Sequence, residues 1–307
     1  MDSDTARWTP ELIPDLTGRR ALVTGVTSGL GEVVVATLAR RGAEVVMAAR
    51  NVQKLTAAVE DLHRAVPAAT VMPLRLDLAD QSCVRRAAQE AAAYGPLHLL
   101  VNNAGVMAPP YQRTVDGFEL QMATNHLGHF ALTGLLLPQL VASGDARVVS
   151  VSSEGHRMAR SAPLGDPRRQ QGAYRRWPVY GQTKLANLLF VLELDRRARE
   201  AGLPLKALAA HPGLSATGLM RSGHGGRRGR ILDAAFMAAG QPPEMGALPI
   251  LMAATADLPG TTYVGPGGPG GARGMPKVVG TARLARDNEA ARRLWDVSQA
   301  ATGVVYP

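Results

Sequence analysis

Apolar residues in this 307-residue chain fall into two alternating kinds of run. The first kind is short and continuous: Arg20–Thr24, Glu44–Ala49, Val71–Leu76, Leu97–Val101, Arg147–Val151 and Lys206–Ala210. Runs of that length without polar alternation read as strands buried on both faces. The second kind is longer, with apolar residues recurring at helical spacing. It covers Gly29–Arg41, Asn51–Val66, Asp80–Tyr94, Gly117–Val141, the stretch from Tyr180 to Ala201, and Asp287–Ala301 near the end. Asn51 stands where a helix N-cap is expected. Strands alternating with helices predict repeated βαβ units. The expected fold is therefore α/β, a single Rossmann-type doubly wound parallel sheet with helices on both faces.

Two stretches lack either period. Glu154–Pro178 is long and polar, and Ser215–Gln241 is rich in Gly, Arg and Met. Loops of that length in a compact domain are usually functional or disordered. Residues 1–17 read as a surface leader and 18–307 as one dinucleotide-binding and catalytic domain, with 215–241 as a lid. Its apolar residues Met220, Ile231, Leu232, Phe236 and Met237 are expected to wall a substrate pocket. The segment Gly265–Gly271 is low in complexity but short.

Composition narrows the class. With 46% hydrophobic but only 4% aromatic residues, aliphatic side chains and alanine must build the core. A lone cysteine, Cys83, excludes an intrachain disulfide and a thiol-rich metal site. No segment approaches the roughly 18 apolar residues needed to span a bilayer, and the N-terminus lacks a signal-peptide pattern. A soluble, cytoplasmic protein is expected. The net charge of +9 is carried mostly by arginine, since only Lys54, Lys184, Lys206 and Lys277 are lysines. Arg221, Arg227, Arg228 and Arg230 cluster around His224, as a solvated loop or as a surface for a phosphate or acidic partner. No aromatic residues interleave with them, so nucleic-acid binding is not expected.

The candidate chemistry lies at the carboxyl ends of the expected strands, where open α/β sheets bind their ligands. The turn Thr24-Gly25-Val26-Thr27-Ser28-Gly29-Leu30-Gly31 joins the first strand to the first helix. Glycines there permit a tight turn and let backbone N–H groups approach a pyrophosphate. Arg50 follows the second strand, and no Asp or Glu lies between Val45 and Arg50. An acid at that place takes ribose hydroxyls, whereas an arginine suits a 2′-phosphate, so NADP(H) is favoured over NAD(H). Asp77 and Leu78 end the third strand, where an adenine ring could lie. Asn102-Asn103-Ala104-Gly105 ends the fourth, where a second ribose could lie. Tyr180 and Lys184 sit at i and i+4 on one helix face. An ammonium beside a phenol favours the phenolate and so makes an acid/base pair; the alternative is two solvent-facing residues of an amphipathic helix. His126 and His129 have no Glu or Cys partner, and no metal site is expected. His156 either lines the substrate mouth or is incidental.

These motifs, together with Ser152-Ser153 and Pro212-Gly213, stand in the order and at the spacing of a known family. The chain resembles the short-chain dehydrogenases/reductases. Asn125-His126-Leu127-Gly128-His129-Phe130 and Lys184-Leu185-Ala186-Asn187 resemble its retinol-dehydrogenase and WW-domain-oxidoreductase-like branch. The resemblance implies that Tyr180 is the general acid/base and that Lys184 lowers its pKa and holds the nicotinamide ribose. It implies that Ser153 (with Ser152 the alternative) bonds the substrate oxygen and that Asn125 anchors a water relay. Thr217 would meet the nicotinamide amide. A small-molecule alcohol or carbonyl substrate follows. Family members often pair through the helices holding Asn125 and Tyr180, so the alternatives are a homo-oligomer of that kind or a chain whose 154–178 insertion blocks the pairing. Two departures stand out. Thr27 replaces a common Asn, and the insertion carries Arg157, Arg160, Arg168, Arg169, Arg175 and Arg176. An NADP-sensing binding protein and a carbon–carbon double-bond reductase are the alternative functions on this fold.

Overall fold

The computed structural model describes residues 8–168, 174–214 and 240–307. Eight strands form one sheet in the order β3-β2-β1-β4-β5-β6-β7-β8. They are β1 (Arg20–Thr24), β2 (Glu44–Ala49), β3 (Val71–Arg75), β4 (Leu99–Asn102), β5 (Ala146–Val151), β6 (Leu205–Ala210), β7 (Tyr263–Pro266) and β8 (Pro276–Val278). All neighbours are parallel except β7 and β8, which pair antiparallel. The chain reverses direction across the sheet between β1 and β4, which leaves a crevice at the carboxyl ends of those strands.

Register explains why the strands carry no polar alternation. Leu22 lies beside Val46 and Leu100, Leu100 beside Val148, and Val148 beside Ala207. All five belong to one core layer. One residue further on, the row Met47, Val23, Val101, Val149 and Leu208 belongs to the other layer. Successive side chains enter opposite cores, so both must be apolar.

The first core is closed by α3 (Gln81–Ala92), α5 (Gly128–Leu135), α6 (Leu137–Ala142), α7 (Arg176–Glu200) and α9 (Asn288–Thr302); the short α4 (Leu120–Met122) leads into α5. The second is closed by α1 (Leu30–Arg40), α2 (Val52–Ala65) and α8 (Pro243–Thr255). Trp8, Ile13 and Leu16 are buried in that second core, so residues 8–16 are packed into the domain and do not form a surface leader.

Three elements were not foreseen. α8 is apolar on every side, so it shows no helical stripe, and Pro249 lies inside it. β7 ends in Gly265-Pro266, which reads as a breaker, and β8 has only three residues. The single helix expected over Gly117–Val141 is instead α4, a π-helical turn over Ala123–Leu127, α5 and α6. Pro138 sits in the first turn of α6 and forces the last break. α7 begins at Arg176, so the tail of the expected insertion is helical, with Pro178 tolerated in the first turn.

The sparse aromatics are concentrated. Trp295 of α9 stacks on Phe190 of α7 at 5.9 Å and meets Phe130 and Tyr306 at 5.0 and 4.6 Å. The Arg197 guanidinium covers Trp295 at 4.8 Å. A Cβ on Gly134 would lie 2.4 Å from the Tyr306 ring, so only glycine lets α5 approach so closely. This cluster joins α5, α7 and α9 within the chain. Trp295→Ala should lower the unfolding free energy by about 3–5 kcal/mol, read as a shifted denaturant midpoint at constant slope.

Candidate active site

At the end of β1 the chain turns through Gly25 (φ 73°) and Gly29 (φ 64°) into α1. A Cβ on Gly31 would lie 2.2 Å from the Gly25 carbonyl oxygen, so the helix can start this close to the turn only with glycine there. The N-terminus of α1 then faces the crevice with unpaired N–H groups. Thr24 ties the turn to β4. Its hydroxyl oxygen accepts the N–H groups of Asn103 and Ala104 at 3.0 and 2.9 Å. The Asn103 amide donates to the Thr24 and Gly25 carbonyls at 2.8 and 3.2 Å. The Asn103 side chain is therefore a strut of the turn. Asn102 is buried and donates to Thr133.

The crevice has a volume of about 880 Å³ and is lined along one flank by Thr27, Ser28, Leu30 and Gly31. Arg50, Asn51, Lys54, Asp77 and Leu78 carry the lining outward. Asn51 caps α2 by accepting the Lys54 N–H at 2.8 Å, which fixes Arg50 and Lys54 at one rim. Lys54 was not foreseen as a partner of Arg50. Its signal was spacing, one helical turn after Arg50 at the start of a capped helix. Asp77 accepts the Ala79 N–H at 3.0 Å and so shapes the end of β3.

The other flank is built by β5 and α7. Tyr180 is 6% exposed and Lys184 is 4% exposed, so neither is the solvent-facing residue of an amphipathic helix. The ammonium lies 5.7 Å from the centre of the Tyr180 ring and donates to the Val151 carbonyl at 3.0 Å. Burial pushes Lys184 down to about 8. Burial pushes the Tyr180 phenol up to about 12, and its hydrogen bond with Ser153 pulls the other way. In the free chain desolvation is thus the larger influence on the phenol.

The two serines separate cleanly. Ser152 donates to the Lys184 backbone carbonyl at 2.8 Å and braces α7. Ser153 accepts the Gly155 N–H at 3.0 Å, and its hydroxyl is hydrogen-bonded with the Tyr180 phenol. Asn125 lies in the π-helical turn, fully buried. Its amide spans Val106, accepting its N–H at 2.7 Å and donating to its carbonyl at 2.9 Å, and also donates to Thr183 at 3.0 Å. Gly105 leaves the gap between Asn125 and Lys184, since a Cβ there would lie 3.1 and 3.7 Å from them.

His129 joins the two flanks. Its Nδ1 donates to the Asn125 carbonyl at 3.2 Å, so its Nε2 accepts the Thr24 hydroxyl at 2.9 Å. His126 Nε2 shares a hydrogen bond of 2.8 Å with the Ser298 hydroxyl in the aromatic core. His156 is buried behind the Ser153 turn and does not line the mouth. The apolar walls come from Val106, Met107, Met158, Trp177 and Leu214. Pro212 and Gly213 border the same space, with Gly213 at φ 66° packed on the Ala272 carbonyl. Thr217, the apolar lid residues, Arg169 and the Arg221–Arg230 cluster lie outside the described residues. Among the described residues no group of three or more His, Cys, Asp or Glu could hold a metal, and no helix is long and apolar enough to cross a membrane.

The profile of the short chain dehydrogenase family matches residues 19–164. Retinol dehydrogenase 13 of Homo sapiens is 36% identical over 300 residues, 94% of this chain and 86% of that protein. An uncharacterized oxidoreductase of Schizosaccharomyces pombe is 40% identical over 230 residues, 71% of this chain and 66% of that protein, just under two thirds of its length. The crystal structure of an uncharacterized protein from Mycobacterium paratuberculosis superposes with a TM-score of 0.79 at 43% identity, covering 98% of this chain and 99% of that one. The chain belongs to the short-chain dehydrogenase/reductase family of oxidoreductases, with relatives among the retinol dehydrogenases.

The buried histidines make stability depend on acid. Their pKa values fall from 6.5 to about 3 for His126, about 4 for His129 and about 4 for His211, each chiefly through desolvation. Depressed values mean that the unfolded chain binds more protons, so stability is complete above 6.5 and lost as pH falls toward the folded values. The urea midpoint should drop steadily between about pH 6.5 and about pH 4. The drop should be shallower in His126→Gln.

Proposed function

We propose that this chain is an NADP(H)-dependent oxidoreductase that interconverts an apolar alcohol and its ketone or aldehyde. One observation carries the reading. The Tyr180 phenol, the Ser153 hydroxyl and the Lys184 ammonium converge on one flank of a single crevice whose other flank is the glycine turn. The residues present fit a pyridine dinucleotide. The close packing of Gly31 on Gly25 leaves backbone N–H groups open to a pyrophosphate, and Arg50 and Lys54 supply two cations at the rim where a 2′-phosphate would lie. Pro212 and Gly213 would border the nicotinamide end, and Lys184 its ribose.

Bound there, the cofactor supplies or accepts the hydride at the substrate carbon. The protein's part is the proton and the oxygen. As the carbonyl oxygen gains charge, the Ser153 hydroxyl donates to it and the Tyr180 phenol gives it a proton. Desolvation keeps the phenol protonated at neutral pH, which suits reduction. Lys184, charged below about 8, lies close enough to stabilise the phenolate left behind. Asn125 holds the Val106 backbone beside Lys184, where a chain of waters can return the proton. The walls of Met107, Met158 and Trp177 favour an apolar substrate, and a relative named for retinol oxidation supports an alcohol and aldehyde pair.

Tyr180→Phe should cut carbonyl reduction by about 10²- to 10⁴-fold while NADPH titration by fluorescence gives an unchanged affinity. Undiminished turnover on every carbonyl tested contradicts the role. Arg50→Ala should weaken NADPH binding by about 10-fold, with NADH nearly unaffected, as expected for loss of one charge-assisted hydrogen bond. Alcohol oxidation needs the phenolate, so its rate should rise with pH toward about 12 while reduction does not.

A further inference from the structure

Behind the crevice lies a buried polar cluster that the chemistry above does not use. It comprises His156, His211 and Tyr263, with Glu154 and Arg157 at its edge. Hydrogen-bond partners fix the tautomer of each histidine. The Nε2 of His156 lies 3.0 Å from the backbone nitrogen of Ala282, and an amide only donates, so Nε2 carries the lone pair. Its Nδ1 lies 2.7 Å from the Ser153 carbonyl, which only accepts, so Nδ1 carries the hydrogen. His211 is the opposite case. Its Nδ1 accepts the Gly213 N–H at 3.3 Å, which puts the hydrogen on Nε2, 3.4 Å from Glu154 Oε1 but not hydrogen-bonded to it. The Tyr263 ring lies between them, 5.7 Å from His156 and 5.1 Å from His211.

The same turn is held a second time. Arg157 donates to the Gly280 carbonyl at 2.7 Å and to Glu154 at 2.6 Å. Residues 280–282 therefore grip the turn that starts at Ser153 through one donor and one acceptor. Ser153 itself is extended, with φ −160° and ψ 155°, and its hydroxyl caps that turn. Its carbonyl accepts the backbone N–H of His156 at 3.0 Å and the ring Nδ1–H at 2.7 Å, and the ring alone ties that carbonyl onward to Ala282. Gly155, in the same turn, has room for a Cβ only 3.1 Å from the Tyr180 ring, so the turn has little freedom to drift.

We propose that His156 is a positioning residue for the reaction, holding the Ser153 hydroxyl against Tyr180 by bridging the serine turn to the backbone of Ala282. The inference rests on the assignment of Ser153 and Tyr180 above. It makes the C-terminal segment 280–282 part of the machinery, although that segment does not line the crevice. His156 acts only through Ser153, and this separates it from a general structural support.

The test is a double-mutant cycle on carbonyl reduction, with two ways of breaking the bridge. His156→Ala removes both bonds. Ala282→Pro removes only the N–H, at a φ of −63° that proline shares. Each should lower kcat by about 10-fold or more, with the KM and the measured affinity for NADPH within about 2-fold of wild type. In a Ser153→Ala background, either change should cost less than about 2-fold, because the residue it positions is gone. His156→Asn, which keeps a donor near Nδ1, should recover part of the loss. Circular dichroism identifies the folded variants, and either one carries the test. Unchanged kcat in a folded variant overturns the proposal, as does an equal loss in both backgrounds or a parallel loss of NADPH affinity. No turnover by the wild-type chain on any carbonyl would instead overturn the functional assignment beneath it.

Discussion

A lysine ammonium sits almost wholly out of water in this fold, and much of the site is arranged around that fact. Moving such a charge into a protein interior costs several kcal/mol unless polar groups replace the solvent. Here the Val151 carbonyl, at the end of β5, accepts from Lys184, and Asn187 donates to the same oxygen at 3.1 Å. Ser152 braces the Lys184 backbone. Gly105 leaves the opening between Lys184 and Asn125, and the π-helical turn sets Asn125 there. The burial that makes Lys184 a weak acid near 8 also makes Tyr180 a reluctant one near 12. Both values have one origin: a helix face that carries polar groups is packed against the sheet.

The crevice is two constructions joined by a few buried polar residues. The glycine turn is held by Thr24 and Asn103, and the Tyr180 flank by Val151, Ser152 and Asn125. His129 connects them, with one nitrogen on Asn125 and the other on Thr24. The Ser153 turn connects in its own way to the C-terminal half, through His156 and Arg157. Side chains deliver these links, but mostly to backbone atoms. The distance from one flank to the other is thus set by the sheet register and is insensitive to surface sequence.

Much of this was legible in the sequence, for identifiable reasons. Strands β1, β2, β4, β5 and β6 are buried on both faces, and that burial writes itself as unbroken apolar runs. The glycines at 25, 29 and 31 are demanded by backbone geometry, and backbone demands leave sharp signals. What stayed hidden has equally physical causes. α8 lies in the core on all sides and so has no stripe, and β7 is spelled with Gly and Pro. The bonds from His129 to Thr24 and from His156 to Ala282 join residues far apart in the chain, and no local spacing announces them. Lys54 could have been read from its place one turn after Arg50. The choice of Ser153 over Ser152 rested on resemblance alone, and the structure adds a reason, because the Ser152 hydroxyl is already engaged.

The central claim is that hydride passes between a nicotinamide and a carbonyl carbon while Tyr180 handles the proton. The most direct measurement uses NADPH carrying deuterium at its transferable position, an apolar ketone or aldehyde, and ordinary water, with mass spectrometry of the product. The account predicts an alcohol with one deuterium on the carbinol carbon, formed by the wild-type chain and not by Tyr180→Phe. An alcohol without deuterium at that carbon, or label appearing in a reduced carbon–carbon bond, would contradict it.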